Sequence, residues 1–386
     1  MDFNFKEEQL AFGDALRRWV TKDYSFDTRK KIIHSDSGVS GPAWAALAEL
    51  GMLALPVPEE QGGFAGSAVD MYIVMQELGR GLVVEPYLAT VMGAHALVLG
   101  GAHGDLLEQV AAGELTLACA FAEKQSRHDL ADIATTVARA QTGTEVAYVL
   151  NGAKSVVVHG AQAGMLIVSA RSATAADQRR DTAGISLFVV PADAPGVSIV
   201  DFRTIDGQRA ANVTLKDVQL APGALLGAFG EGWDLLDAVA DYGAGLLCAE
   251  ALGAMEAIFA ATLDYLKTRT QFGAPIGKFQ ALQHRMADMY IHLEQARSMA
   301  LLAAVKLGAA DPVERRRNVS AAKFRIGQAL KFVGQQAVQL HGGMGVTDEL
   351  PAAHHFKRLT MIELTLGDAD HHLQRFIAQP GFAEAP

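Results

Sequence analysis

A block of short β-branched runs, set between two long stretches of helical periodicity, constrains this chain more than any other feature. Leu115 to Phe121, Val146 to Leu150, Ser155 to His159, Met165 to Ser169, Ile185 to Val190 and Val213 to Leu215 have the length and composition of strands. Turn chemistry at Asn151-Gly152, Pro191-Ala192 and Asp206-Gly207 is expected to separate them, and the polar stretch Arg171 to Gly184 to form a loop. Ahead of the block, apolar residues recur at three and four, as in Leu10, Ala11, Leu16 and Trp19, then Trp44, Leu47, Leu50 and Leu53. That spacing places them on one face of a helix. Pro56, Pro58 and Gly62-Gly63 punctuate the pattern, which resumes from Val69 to Leu78. Behind the block, helices are expected from about Asp234 to Arg269, Ala281 to Leu307, Asn318 to Leu340 and Ala369 to Ala378, with a break at Gly308 to Pro312. The order predicts an α+β chain of three domains: helical over 1–115, an all-β middle of barrel or sandwich kind over 116–226, and a helical bundle over 227–386.

Composition narrows the function classes. Half of the 386 residues are hydrophobic and 20% are charged, which excludes a disordered or fibrous chain. A formal charge of -10 argues against nucleic acid or an anionic membrane as main partner, since both demand concentrated positive charge. Cys119 and Cys248 are too few for a disulfide framework. Met1 to Gln9 mixes charge into every turn and does not read as a signal peptide. Ala244 to Tyr265 is the most apolar long stretch, but Glu250, Glu256 and Asp264 interrupt it, so a buried helix is expected rather than membrane insertion. A soluble, cytoplasmic protein follows as the expectation.

Two segments carry unusual chemistry. In Arg269 to Gln280 (RTQFGAPIGKFQ) a long helix ends, Phe272-Gly273, Pro275 and Gly277 form a loop, and a second helix starts near Gln280. An arginine, an aromatic ring and an amide on one loop suit a flat, phosphorylated ligand: a forked donor for pyrophosphate, a ring to stack, an amide for a base edge. In Gln339 to Gly345 (QLHGGMG) a helix ends in glycines that let a ligand approach the backbone. Taken singly, both also serve as ordinary helix ends.

Together, these segments resemble the acyl-CoA dehydrogenase family of flavoproteins. Leu47 to Gly63 (LAELGMLALPVPEEQGG) is similar to that family's first-domain signature, Gly152-Ala153-Lys154 to its middle domain, and Gly232-Trp233 to the lead-in of its carboxyl domain. The resemblance covers essentially the whole chain and implies an FAD held between the β domain and the carboxyl bundle. It implies that Arg269, Phe272 and Gln280 reach one end of an FAD across a subunit boundary, and that Gln339, Gly342 and Gly343 contact its adenosine diphosphate portion. An active form of at least a dimer, commonly a tetramer, is then expected, with acyl-CoA as substrate and electron-transfer flavoprotein or a similar acceptor as partner.

The family reaction oxidises an acyl-CoA thioester to its 2,3-enoyl form, a carboxylate taking the α-proton while hydride leaves the β-carbon for the flavin. Here the chain departs from the pattern. In the commonest form the base is the Glu of a Tyr-Glu-Gly-Thr run, which registers on Thr365-Leu366-Gly367-Asp368 and puts Leu366 at the base position. A second form keeps its Glu on the helix before the loop arginine, which falls at Gly243, with the arginine that grips CoA falling at Ala244. Val156 and Val158 stand where the family places a Trp and a Ser/Thr against the flavin, and the Glu-Pro-x-x-Gly-Ser-Asp substrate loop has become Glu123 to Asp129 (EKQSRHD).

Two readings stay open. The Leu366 to Leu373 run (LGDADHHL) resembles the small subunits of heteromeric bacterial acyl-CoA dehydrogenases, pimeloyl-CoA dehydrogenase small-subunit-like, which act with a homologous larger subunit on dicarboxylic or steroid-derived acyl-CoAs. Such a chain lends its flavin contacts to a partner that holds the base. Alternatively the enzyme is self-sufficient with a relocated base, for which Glu363, Asp368 and Glu250 are the candidates. Each has a structural alternative: Glu363 as partner of a basic group, Asp368 as a helix N-cap, Glu250 as a paired core carboxylate. A non-catalytic assembly subunit is a third possibility. His354-His355 and His371-His372 do not make a metal site, since neighbours on a helix diverge by about 100° and no carboxylate or thiolate set completes them.

Overall fold

The computed structural model describes residues 5–101, 103–142, 145–172 and 179–380. The N-terminal helices are α1 (Glu7–Lys22), α2 (Phe26–Ile33), α3 (Gly41–Glu49), α4 (Ala68–Gly81), α5 (Tyr87–Gly100) and α6 (Gly104–Ala111). Eight strands follow: β1 (Leu117–Ala120), β2 (Thr136–Thr142), β3 (Glu145–Val158), β4 (Met165–Ser172), β5 (Ile185–Pro191), β6 (Val197–Arg203), β7 (Arg209–Leu220) and β8 (Leu225–Leu226). The chain then runs through α7 (Trp233–Thr268), the short strands β9 (Thr270–Gln271) and β10 (Ala274–Pro275), α8 (Gln280–Leu307), α9 (Pro312–His341), α10 (Pro351–Leu364) and α11 (Ala369–Ile377). The helical, β, helical order of the sequence is therefore the order of the fold.

These elements divide into two compact units. One takes residues up to Lys31, Ser67–Val83 and everything from Ala244 on; the other takes Ile32–Gly66 and Val84–Gly243. The second unit is built on one mixed sheet in the order β6-β7-β3-β2-β4-β5-β8, with β1 running parallel to β4. Its buried residues, among them Val137, Tyr148, Leu166, Phe188 and Val213, form a single apolar cluster.

One local expectation fails here. Asn151-Gly152 does not close a hairpin: β3 runs straight through it, paired with β2 on one side and β7 on the other. The register against β7 shifts between Leu150 and Gly152, so the glycine absorbs a bulge instead of turning the chain. Strands β2 and β6 also lie outside the runs read from sequence. On β6 half-buried and exposed positions mix, as befits the edge of a sheet.

The first unit is helical, and its caps explain its boundaries. The Ser67 hydroxyl accepts from the Asp70 N–H while Asp70 accepts from the Ser67 N–H, a reciprocal box that starts α4. Asp311 accepts from the Val313 N–H with proline next in line, so α9 starts at Pro312, six residues before the sequence pattern suggested, and Arg315 to Arg317 lie inside it. Helix α10 was not read from sequence at all. Its buried positions include His354, His355, Arg358 and Glu363, and polar residues on the inner face break the apolar period.

Helix α7 is long and apolar enough to cross a membrane by length and composition, yet Leu247, Leu252, Met255 and Ile258 are buried in the protein core. It crosses α4 with backbones nearly touching. A β-carbon on Gly253 would overlap the Gln76 carbonyl oxygen, and one on Gly79 the Glu250 carbonyl oxygen. Backbone cannot yield as a side chain end can, so Gly253→Ala is expected to destabilise by about 3 kcal/mol or more. Gly41→Ala, at an exposed site with nothing within 4 Å of the new carbon, stays near wild type. Urea midpoints of the two variants, measured side by side, decide the point. Flanking the crossing, buried Glu77 accepts from Arg17 and Arg80, while Glu256 accepts from Arg80, Arg297 and Gln76. α1, α4, α7 and α8 are joined in one ionic network.

Candidate functional site

Past α7 the chain reverses through the β9–β10 hairpin, whose central residues Phe272 and Gly273 both have positive φ, 53° and 77°. That is the turn a two-residue hairpin favours. Glycine adopts it freely, whereas phenylalanine does so against its steric preference. The Phe272 ring is nevertheless 92% exposed, touching Phe279 edge-on at 6.1 Å. The Arg269 N–H donates to the Tyr265 carbonyl at 2.8 Å and its carbonyl accepts from Ile276 at 2.9 Å. Side chains of Arg269 and of Gln280, the first residue of α8, are exposed.

The second segment lies at the end of α9. Gln339 is exposed, and Gly342 takes φ 60°, ψ -141°, a conformation suited to glycine. A β-carbon at Gly342 or Gly343 would meet nothing within 4 Å, so the backbone there is open to approach. The two segments come together through a ring contact: Tyr265, one turn before Arg269, stacks on His341, the residue before Gly342, at 4.6 Å. A guanidinium, two carboxamides, an aromatic face and bare glycine backbone make a donor set that fits a base joined to a pyrophosphate, as in FAD.

The expected base positions hold no carboxylate. Leu366 is half-buried with φ 56°, and its carbonyl accepts from His372 Nε2 at 2.9 Å. The buried Lys323 ammonium donates to the carbonyls of Ile362, Glu363 and Gly367, capping α10 from below and pinning the same turn. Burial draws the pKa of Lys323 down to about 8. Gly243 is buried within α7, beside Tyr242, whose ring stacks on His95 at 4.1 Å.

The three candidate carboxylates all have structural partners. Glu363 pairs with Lys331 Nζ at 2.7 Å and accepts from the Ala369 N–H at 3.2 Å. Asp368 caps α11, accepting from the His371 N–H at 2.8 Å. Glu250 takes Arg358 Nε on one oxygen at 2.6 Å and Nη2 on the other at 2.8 Å. Two of the adjacent histidines, His354 and His372, are likewise engaged. Arg29 Nη1 donates to His354 Nδ1 at 2.9 Å, and His372 bonds the Leu366 carbonyl. No group of three metal-ligating side chains occurs among the described residues.

In the sheet unit the Glu123 to Asp129 segment is tied to the residues around it through its first member. The buried Glu123 carboxylate accepts from Lys154 Nζ at 2.6 Å, Gln125 Nε2 at 2.8 Å and the N–H groups of Ala134 and Thr135 at 2.8 and 3.1 Å. Burial alone would raise its pKa; Lys154 and these donors outweigh burial and hold it well below the usual carboxylate range. Sequence reasoning noted both residues but not their pairing, which spans a loop and a strand. Val156 is exposed with φ 53°, its N–H on Asn212 Oδ1, and offers only an apolar side chain.

Comparison with known proteins agrees across the whole chain. The family models "Acyl-CoA dehydrogenase, N-terminal domain", "middle domain" and "C-terminal domain" match residues 6–114, 118–218 and 230–379. The chain is 30% identical to the human mitochondrial short-chain specific acyl-CoA dehydrogenase over 339 residues, 85% of this chain and 79% of the relative. It is 29% identical to acyl-CoA dehydrogenase IpdE2 of Mycolicibacterium smegmatis over 374 residues, 97% and 99% of the two chains. Among solved structures it is similar to a variant of the Tcur3481–Tcur3483 steroid ACAD, with 30% identity, a TM-score of 0.85 and 96% of each chain covered. It is also similar to a chain of the ChsE4–ChsE5 complex from Mycobacterium tuberculosis, with 26% identity, a TM-score of 0.87 and 100% of both chains covered.

Proposed function

Because the chain belongs to the acyl-CoA dehydrogenase family of FAD-dependent oxidoreductases acting on CH–CH bonds, we propose that it is the small subunit of a heteromeric member whose catalytic base stands on a homologous, larger partner. One observation carries this reading. Leucine and glycine stand at 366 and 243, the positions expected for a base, while the Arg269 to Gln280 loop expected to reach a neighbour's flavin keeps its residues and exposes Phe272. The described partners of Glu250, Glu363 and Asp368 give each of them a structural task instead of a catalytic one. Two similar structures support the heteromeric form: one is the ChsE4–ChsE5 complex, and the other, the Tcur3481–Tcur3483 steroid ACAD, likewise carries a double name.

When bound, FAD supplies the hydride acceptor. This chain's part is to hold it. Arg269 neutralises pyrophosphate charge, Phe272 and Gln280 cover its adenine end, and Gln339 with the Gly342-Gly343 backbone receives the adenosine diphosphate. The partner's carboxylate removes the α-proton of the acyl-CoA. A steroid-derived or dicarboxylic acyl chain, electron-transfer flavoprotein or a similar acceptor, a tetrameric assembly and a cytoplasmic setting complete the reading.

The test compares the purified chain with the complex formed on co-expression with a homologous chain that keeps its glutamate, using acyl-CoA and a dye acceptor. A positioned base contributes on the order of 100-fold or more, and at least that difference in turnover is expected. Turnover by the single chain at the rate of the complex overturns the proposal.

A further inference from the structure

We propose that Tyr265 and His341 are positioning residues that fix the spacing between the two FAD-contacting loops; the inference rests on the assignment of those loops given above. Neither ring is itself one of the proposed contacts, but each sits directly behind a set of them. Tyr265 is one helical turn before Arg269 and accepts the Arg269 N–H through its carbonyl at 2.8 Å. His341 closes α9 and leads straight into Gly342-Gly343. Their rings stack at 4.6 Å with an interplanar angle of 29°, joining the end of α7 to the end of α9.

The histidine side of this contact is rigid. His341 is buried, and its Nδ1 lies 2.8 Å from the Ala337 carbonyl. A carbonyl only accepts, so Nδ1 carries the proton and the ring orientation is set. The glycine turn folds back on the same residue. A β-carbon on Gly345 would stand 3.0 Å from the His341 Cβ and 2.5 Å from the Val338 carbonyl oxygen. Arg269 and the Gly342-Gly343 backbone must address one ligand at the same time, the first its pyrophosphate and the second its adenosine. Two helix ends free to drift apart would have to be brought into register by the ligand itself, at the expense of its affinity. The stacked pair does this in advance.

The experiment uses the co-expressed complex, stripped of flavin and reconstituted. FAD affinity is read from flavin fluorescence and compared with riboflavin 5′-phosphate, which lacks the adenosine half. An aromatic pair is worth about 0.5–1.5 kcal/mol beyond its area, so His341→Ala and Tyr265→Leu should each weaken FAD by about two- to twelvefold. Riboflavin 5′-phosphate affinity should not change, and His341→Phe, which restores a ring, should recover FAD binding. Unchanged FAD affinity in the first two variants, or an equal loss for both flavins, overturns the positioning role. Should His341→Ala fail to fold, the half-buried Tyr265→Leu and the His341→Phe rescue still decide it. Arg269→Ala in parallel separates the two levels. If it leaves FAD affinity intact, the loop assignment itself falls and the positioning role with it; if it weakens FAD while the ring variants do not, only the positioning role falls.

Discussion

Between pH 6.5 and pH 5 the folded protein loses about 1.5 kcal/mol of stability or more, through histidines held neutral in its interior. His355 on α10 is 5% exposed, and burial, with Arg29, His354 and Arg80 adding repulsion, brings its pKa down to about 3. His372 is buried as well, and burial followed by the charge of Lys323 holds it well below the ordinary value. His354 is lowered in the same direction, first by burial. The sign follows from the lowered folded values. Unfolded chain takes up a proton on each histidine as the pH drops below about 6.5, while the folded chain does not, so stability is present above that value and drains away beneath it. A histidine that stays neutral when folded costs about 1.4 kcal/mol per pH unit once the unfolded form is protonated; His355 alone suffices for the stated figure and His372 adds in the same direction. Glu123, held low by Lys154, adds its own loss only below the ordinary carboxylate value, so above that value the histidines act without it. Urea titrations at several pH values measure the slope directly. His372→Gln, which keeps a donor for the Leu366 carbonyl, should make it shallower. A slope indifferent to that change and flat above pH 5 would defeat the account.

Cutting the Glu250–Arg358 pair on one side is the second large effect. Both groups are buried and meet through two short hydrogen bonds between α7 and α10. Glu250→Ala leaves a guanidinium in the interior without its carboxylate, which costs about 3–5 kcal/mol. Replacing both, Glu250→Leu with Arg358→Met, removes charge and hydrogen-bonding need together and should recover most of that loss. Denaturant midpoints for the single and double variants give the coupling. The same series bears on function, because a relocated base at 250 requires the double variant to be folded but inactive in the complex. Full activity of that folded double variant is the outcome expected here.

Much of the architecture was legible because it rests on period and punctuation. β-branched runs marked most of the sheet, and three acids within α7 marked it as a core helix rather than a membrane span. Features that failed to show were those in which tertiary partners override local pattern. Helix α10 carries His354, His355, Arg358 and Glu363 inward, where Arg29, Glu250 and Lys331 meet them, so its inner face reads as polar. Glu250 and Arg358 are 108 residues apart, and nothing local in either segment announces the other. Asn151-Gly152 has hairpin chemistry, but strands on both sides of β3 hold it extended. Within the site, arginine, phenylalanine and glycine betrayed the ligand-facing loops by residue type. The stacked pair behind them did not, because a tyrosine and a histidine near helix ends look like any other packed rings.

The interleaved make-up of the helical unit carries a consequence for biosynthesis. Its first members, α1 and α4, emerge early from the ribosome, yet α4 meets its backbone partner on α7 only at Gly79 against Glu250 and Gln76 against Gly253. At 5–20 residues per second, that wait lasts roughly ten to thirty seconds. Throughout it, Met71, Val74, Met75 and Leu78, all buried in the finished fold, belong to a unit that still lacks everything from Ala244 on. A nascent chain stalled or truncated within the sheet therefore presents an uncovered apolar helix, and holding chaperones should engage this protein during that interval rather than after release.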